Sequence, residues 1–191
     1  LFKPQDILKA NPKLSFIGGE HFARFLMLLL RFDKLNRVYH QIGDKKGLDF
    51  VDELLRILKV NFVYDQEELQ KRIPKSGPAI VISNHPFGGL EGFLLIQMIS
   101  RIRSDVRIIS SQLLQKIDPV SEFFFEEQGV LKKADKRLST QGFDRATAHL
   151  QNGGIVCLFP AAEVSQFDSA HVLSDPQWQY NTLKFIKQQK V

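Results

Sequence analysis

The sequence has little cysteine and no long apolar run. Its one cysteine, Cys157, excludes an internal disulfide framework and a zinc site built on paired cysteines, and it indicates a reducing, cytosol-like compartment. The apolar stretch at residues 25–30 is far shorter than the roughly 20 residues that span a bilayer. Because Arg24 and Arg31 flank it, this stretch predicts either a buried helix or a helix that lies on a membrane surface.

A secretion-signal pattern is also missing, and the chain opens at Leu1 rather than at methionine, so we expect a fragment of a longer protein. The net charge of +5 favours anionic partners, such as nucleic acid, anionic lipid headgroups or a phosphorylated cofactor. A nucleic-acid site would interleave aromatic residues with basic ones, and the basic cluster at residues 129–137 contains none. We therefore expect no nucleic-acid partner.

The first 73 residues have a helical pattern, with helices predicted at residues 4–10, 19–32 and 47–60. From residue 74 onward, short apolar runs alternate with amphipathic segments, which is typical of helices flanking a mostly parallel sheet. The sequence thus predicts an N-terminal helical segment at 1–73 and an α/β core at 74–191.

Within the core, the predicted strands are short apolar runs at residues 79–83, 106–110 and 155–159, and residues 61–64 are a further candidate for an edge strand. Helices are predicted at 89–103, at 140–151, where Asn152-Gly153-Gly154 ends the helix, and at 176–190.

The segment SNHPFGGLEG places a histidine, His85, at the end of a predicted buried strand. Loops at the carboxyl ends of such strands commonly carry the binding and catalytic groups of α/β proteins. Gly88 and Gly89 permit a tight turn and bring Glu91 into the first turn of the next helix, where a carboxylate is favoured. If the loop folds back, Glu91 accepts a hydrogen bond from one imidazole nitrogen and leaves the other free to take a proton from a hydroxyl. The alternative is a structural histidine in a turn that Asn84 caps.

This segment resembles the first motif of the glycerolipid and lysophospholipid acyltransferase superfamily, in which Asn-His, four residues and an aspartate carry acyl transfer. Here five residues separate His85 from the acid, and the acid is Glu91. The Asn-His-Pro opening, the two glycines and the Leu-acid-Gly ending are more similar to the bacterial haemolysin-like branch, which includes ornithine-lipid acyltransferases.

A second segment, LFPAAEVS, begins where another predicted strand ends and resembles the superfamily's third motif, Phe-Pro-Glu-Gly-Thr-Arg-Ser. Glu163 and Val164 stand at the Thr-Arg positions, so the arginine that grips a phosphate is absent. The resemblance then implies an acceptor with a different headgroup, polar or cationic, facing Glu163. The residues expected to contact the acceptor are Asn84, Phe159, Pro160, Glu163 and Ser165.

The segment GVLKKADKR is the candidate for the superfamily's second motif. Its basic residues, Lys132, Lys133, Lys136 and Arg137, suit the phosphates of coenzyme A, the acidic surface of an acyl-carrier protein, or a membrane. A solvated charged face is the alternative for this cluster. The fourth motif is not visible before Val191, so we expect the α/β core to be truncated.

The resemblance implies a direct acyl transfer in which His85 deprotonates an acceptor hydroxyl, Glu91 orients the imidazole, and the Gly88 and Gly89 amides stabilise the oxyanion. The donor would be an acyl thioester of coenzyme A or acyl-carrier protein, and the acceptor a lyso-ornithine lipid or lysophospholipid. No metal and no tightly bound cofactor are expected, and the protein would lie in the cytoplasm, peripherally on the inner face of the cell membrane. Residues 25–30 and 123–125 would line an acyl groove, rest on the bilayer or pack in the core.

Two other functions remain open from the sequence. One is a non-catalytic lipid-binding protein at the membrane surface. The other is a serine lipid hydrolase with Ser83 or Ser165 as nucleophile, although the sequence has no Gly-x-Ser-x-Gly elbow.

Overall fold

The structure, a computed structural model, describes residues 3–10, 19–29, 32–110, 114, 117–126, 141–167 and 171–191. Across these ranges, no helix is both long enough and apolar enough to span a bilayer.

Helices form the first part of the chain. They are α1 (Pro4–Ala10), α2 (Gly19–Leu29), α3 (Phe32–Ile42), α4 (Gly47–Ile57) and α5 (Gln66–Arg72). The sequence predicted the first, second and fourth of these within a few residues and missed α3 and α5. A local signal for α5 was present, because Asp65 precedes it and its side chain accepts a hydrogen bond from the Glu68 amide at 2.9 Å.

The core of the chain is a four-stranded sheet in which every pair is parallel. Its strands are β1 (Ala79–Ile82), β2 (Val106–Ser110), β3 (Phe124–Glu126) and β4 (Ile155–Leu158), in the spatial order β1-β4-β2-β3. The α/β class with a mostly parallel sheet is therefore confirmed, and β3 is an edge strand that the sequence did not predict.

Helices and a hairpin surround this sheet. They are α6 (Leu90–Ser100), a 3-10 helix (Asp118–Phe123), α7 (Gln141–Gln151), α8 (Tyr180–Gln188) and a two-stranded antiparallel hairpin of β5 (Gln166–Phe167) and β6 (Leu173–Ser174). The predicted helices at 89–103, 140–151 and 176–190 are present with shorter ends, and the hairpin was not predicted.

The central strands β4 and β2 are buried on both faces apart from the partly buried Arg107, whereas the edge strand β1 is only partly buried and Ile82 is 42% exposed. Ile108 and Cys157 point to one face and Ile109 and Val156 to the other, as the two-residue period of a strand requires. The first face packs against α4 and α6, and the second against α7 and α8. Because α4 shares this core, the N-terminal helices are attached to the sheet by buried contacts.

The edge strand expected at residues 61–64 is wrong, because these residues pair with none of the strands that the structure describes. Their alternating pattern has another cause: Phe62 and Tyr64 stack with ring centroids 5.5 Å apart and Phe62 packs on the core, while Val63 is fully exposed. The alternation of buried and exposed side chains at residues 61–64 is therefore present without strand pairing.

Residues 123–125 belong to the core, since all three phenylalanines are at least 93% buried. Of the apolar stretch at residues 25–30, the described side chain is that of Met27, which packs partly buried against the same core. The other side chains of that stretch lie outside the part of the structure described.

Arg103 contacts the segments that precede β1, β2 and β4, at the opposite end of the strands from His85. Its buried guanidinium donates to the carbonyls of Pro74, Gly77 and Gly153, and it pairs with Asp105 at 2.5 Å. The hydrogen bond from Arg103 holds the pKa of the Asp105 carboxyl below its ordinary value. Carbonyls next to β1 and β4 are therefore fixed by one side chain.

Candidate active site

Two loops leave the sheet side by side at its carboxyl edge. Strands β1 and β4 are neighbours in register, Ile82 opposite Leu158, so the loops that follow them start together. The Ser165 amide then donates to the His85 carbonyl at 3.2 Å, which joins the far end of the second loop to the first. The two segments singled out in the sequence thus form one structure.

Gly88 and Gly89 turn the first loop back on itself. Their φ angles are 77° and 140°, in the region that favours glycine, and α6 begins one residue later. Glu91 lies in the first turn of α6, and its carboxylate accepts hydrogen bonds from the amides of Phe87 and Gly89, the latter at 3.1 Å. The carboxylate therefore caps the positive end of its own helix.

The same carboxylate lies beside His85, with 3.4 Å between Nδ1 and Glu91 Oε2. The two atoms form no hydrogen bond, and buried Nδ1 has no hydrogen-bond partner among the described residues. The Phe159 ring stacks on the imidazole with centroids 4.6 Å apart and fixes its plane. The structure brings His85 and Glu91 together, but the hydrogen bond predicted between them is not formed.

A pocket of about 210 Å³ opens beside His85, between the two loops. The His85 side chain is 19% exposed although Nδ1 is buried, so its accessible atoms belong to the rest of the ring. The lining residues are Ile82, Ser83, Asn84, His85, Phe159, Pro160, Ala161, Asp175 and Trp178.

Three of the predicted acceptor contacts, Asn84, Phe159 and Pro160, line this pocket, whereas exposed Glu163 does not. Ser165 does not line the pocket either, but its hydroxyl donates a hydrogen bond to Asp175 Oδ1, which does.

Asp175 and Trp178 were missed by the sequence analysis. They reach the pocket because the Gln179 amide donates to the Pro160 carbonyl at 2.8 Å, which draws the segment before α8 onto the second loop. The only hint in the sequence is that Trp178 is the chain's one tryptophan and stands near an acid.

On the other side of the glycine turn lies an apolar pocket of about 200 Å³. It is formed by α3, α4, the start of α6 and the residues before the 3-10 helix, and its lining residues are Tyr39, Phe50, Leu54, Leu58, Gly88, Gly89, Leu90, Phe93, Leu114 and Ile117. The first pocket is called the polar pocket after its Ser83, Asn84, His85 and Asp175 side chains, and Gly88 and Gly89 line only the apolar one.

The two glycine amides are not equivalent. The Gly89 amide is engaged by Glu91, whereas the Gly88 amide donates to no acceptor among the described residues. Of the pair predicted to stabilise an oxyanion, only Gly88 offers a free donor in this conformation.

Neither candidate serine is bonded to the histidine ring. The Ser83 hydroxyl donates to the Asn84 carbonyl at 3.1 Å, and that of Ser165 donates to Asp175. The contact needed between a serine nucleophile and its base is therefore not formed by these residues.

Cys157 is fully buried, and burial raises the pKa of its thiol, so it does not supply a thiolate. In the portion of the chain described, no three of the His, Cys, Asp and Glu side chains come together as a metal-binding group. The basic residues Lys132, Lys133, Lys136 and Arg137, with the rest of the candidate second motif, lie outside the described residues.

Replacement of Gly88 by alanine should lower turnover, whereas the same replacement at Gly77 should lower only the free energy of unfolding. A Cβ there would lie 3.2 Å from Val164 Cγ1, whereas one at Gly77, with a similar φ of 85°, would meet nothing within 4 Å. We expect Gly88→Ala and Gly77→Ala each to lower the free energy of unfolding by about 1–2 kcal/mol, because both force an L residue into left-handed backbone.

Only Gly88→Ala should also lower catalytic turnover, by severalfold, because it pushes the two loops apart. Urea unfolding and steady-state kinetics on both variants check this. Equal turnover in the two would mean that the Gly88–Val164 contact has no bearing on the site.

Comparison with known proteins identifies the family of the chain. A comparison with protein-family models matches residues 9–190 to the family described as Acyltransferase. None of the curated proteins compared with the chain matches it significantly. The match covers almost the whole chain and includes both loops, so the chain belongs to this acyltransferase family.

Proposed function

We propose that the protein transfers a fatty acyl group from an acyl thioester to a hydroxyl group of a lysolipid acceptor, with His85 as the general base. The observation that carries this proposal is the His85–Glu91 pair, in which His85 lines the polar pocket and Glu91 is buried, next to a glycine turn that lines an apolar pocket. Membership of the family supports acyl transfer, and the His85–Glu91 pair is the proposed source of the base that a hydroxyl acceptor needs.

In the proposed reaction, the acceptor hydroxyl gives its proton to the imidazole while its oxygen attacks the thioester carbonyl carbon. The new C–O bond forms, the C–S bond breaks, and the thiolate leaves with the proton from the imidazolium. The carboxylate of Glu91 lies close enough to stabilise the imidazolium electrostatically. No covalent acyl-enzyme is needed.

The Gly88 amide is the proposed donor to the oxyanion of the tetrahedral intermediate. Gly88 lines the apolar pocket, and its amide is not used by Glu91. Donors that are already in place where charge develops give electrostatic stabilisation without reorganisation. In this scheme Gly89 acts indirectly, by holding the Glu91 carboxylate.

The apolar pocket suits the acyl chain, since Leu54, Leu90 and Phe93 line it and burial of an alkyl chain is favourable by about 0.8 kcal/mol per methylene. The polar pocket suits the acceptor headgroup, a lyso-ornithine lipid or a lysophospholipid. The donor is acyl-coenzyme A or acyl-carrier protein, and the basic cluster at residues 132–137 is proposed to meet its phosphates or its acidic surface.

A peripheral position on the inner face of the cell membrane is part of the proposal, because the proposed acceptor is a membrane lipid. The hairpin β5–β6 supports it: Phe167 and Leu173 are opposite each other, so they share a face, and they are 71% and 51% exposed. In the chain the hairpin begins after Ser165 and ends before Asp175, and Asp175 lines the polar pocket. An apolar pair at this place can rest in the headgroup region of a bilayer.

The double variant Phe167→Ser, Leu173→Ser should bind lipid vesicles at least about tenfold more weakly than the wild type. Loss of half the burial free energy of both side chains, about 1.5–3 kcal/mol in total, is at least a tenfold change in partition. Cosedimentation with vesicles containing anionic lipid measures this, and Val63→Ser, which removes an exposed valine elsewhere, is the control. Equal binding of all three proteins would place the membrane contact elsewhere.

One assay tests the proposed reaction as a whole. Purified protein is incubated with isotope-labelled acyl-coenzyme A or acyl-carrier protein and a panel of lyso-ornithine lipid and lysophospholipids, and products are identified by mass. We expect a labelled diacyl product together with free thiol in equal amount. Free fatty acid without acylated acceptor would indicate a hydrolase, and bound lipid without thioester consumption a non-catalytic lipid binder.

A further inference from the structure

Within the described part of the chain, the lining of the polar pocket contains an acidic side chain without a lysine or arginine to balance its charge. Its lining includes one carboxylate, Asp175, and no lysine or arginine among the described residues. Asp175 also makes no ion pair with a described cation, since its contact is with the Ser165 hydroxyl. The wall that faces His85 is therefore negative, although the chain as a whole has a net charge of +5.

The carboxylate is held in place relative to His85. Ser165 donates its hydroxyl proton to Asp175 Oδ1 and its amide proton to the His85 carbonyl. One residue thus connects the carboxylate to the catalytic loop, and Asp175 Oδ2 accepts no hydrogen bond from the described residues. A fixed carboxylate with one open oxygen in a pocket wall is suited to a cationic hydrogen-bond donor.

Trp178 supplies the second surface. It lines the same pocket and is 45% exposed, so part of its indole is accessible to a ligand. Indole is the side chain that binds cations most strongly through its π face, and the gain grows where water is excluded. Carboxylate and indole together are a recognition pair for an alkylammonium group.

We infer that this pocket binds an ammonium group of the acceptor lipid between Asp175 and Trp178, while the acceptor hydroxyl lies at His85. The inference rests on the proposed function, and it narrows the acceptor to a lysolipid that carries a cationic headgroup. A headgroup whose only charge is a phosphate would meet Asp175 with no described cation in the pocket to offset it.

The exposed Glu163, which the sequence analysis assigned to the headgroup, lies outside this pocket lining. The two carboxylates are therefore distinguishable by mutation, because one lines the pocket and the other does not.

Trp178 also provides the measurement, because it is the only tryptophan in the chain and its fluorescence reports occupancy of the pocket. Two soluble probes are titrated without acyl donor: the 3-hydroxyoctanoyl amide of 1,4-diaminobutane, which has one free ammonium group, and its N-acetylated, neutral analogue. We expect the ammonium probe to bind the wild type at least tenfold more tightly than the neutral one. Equal affinities would overturn the inference, whatever any variant does.

The variant Asp175→Asn removes the charge and keeps an oxygen that accepts from Ser165. It should weaken binding of the ammonium probe about tenfold and leave that of the neutral probe unchanged. Glu67→Gln, at an exposed position on α5, is the control for loss of one surface charge. Retained preference in a folded Asp175→Asn protein, or loss of preference in Glu163→Gln instead, would overturn the assignment to Asp175.

Transfer to the same two probes keeps this inference separate from the proposed reaction. If the ammonium probe binds selectively but no thioester is consumed, the reaction is wrong and the ammonium site stands. If both probes are acylated with equal kcat/KM, the reaction stands and the ammonium site is wrong. With both correct, Asp175→Asn reduces the kcat/KM ratio of ammonium to neutral probe by about tenfold.

Discussion

His85→Ala should lower the turnover of acyl transfer by about 10²–10⁴-fold, the range typical of a general acid–base group. In this variant no described side chain at the polar pocket takes over the position of the imidazole. The carboxylate in the pocket lining, Asp175, already accepts a hydrogen bond from Ser165. Turnover with saturating acyl donor and acceptor, measured as thiol release, gives the effect directly.

The same variant should remain folded, because the imidazole makes no hydrogen bond through Nδ1 and its main packing partner is one ring, Phe159. Urea unfolding checks this, and His21→Ala, an exposed histidine on α2, is the matched control with wild-type turnover expected. If folded His85→Ala retained turnover within about tenfold of the wild type, another group would be the base.

The sequence predicted the elements that carry the reaction because local chemistry determines them. Strands β1, β2 and β4 are apolar runs bounded by turn residues, and parallel strands buried on both faces have this composition. The Gly88-Gly89 turn was predictable as well, since two consecutive glycines before an acid permit positive φ angles. This turn also explains how a longer spacing and a longer acid still bring carboxylate and imidazole within 3.4 Å.

What the sequence did not predict depends on contacts between distant segments. Strand β3 has three residues and is a strand because Ile108 to Ser110 pair with it across the sheet. Asp175 enters the pocket through its bond to Ser165, ten residues earlier, and through the bond from Gln179 to Pro160. No propensity or spacing along the chain encodes these contacts, so the acidic wall of the pocket became visible only in three dimensions.

Glu91 caps α6 and also lies beside His85. Glu91→Gln should therefore lower both the free energy of unfolding and the turnover. The carboxylate accepts from the Phe87 and Gly89 amides, and an amide side chain of the same shape has only one oxygen to offer. Its NH2 group would then face a backbone donor or the imidazole, which leaves a buried donor unsatisfied at a cost of about 1–3 kcal/mol. Loss of a charge at the N-terminus of α6 adds about 0.3–1 kcal/mol.

Turnover of Glu91→Gln should fall by about 10²–10⁴-fold, because the charge that stabilises the imidazolium and the order of the loop are lost together. Glu67→Gln separates these causes from a helix-end effect, since Glu67 also lies in a first turn but is exposed. It should lower the free energy of unfolding by no more than about 0.3–1 kcal/mol and leave turnover unchanged. Urea unfolding and turnover on both variants are the measurements. A destabilised Glu91→Gln protein with wild-type turnover would make Glu91 a helix cap alone, and His85 would then act without a carboxylate partner.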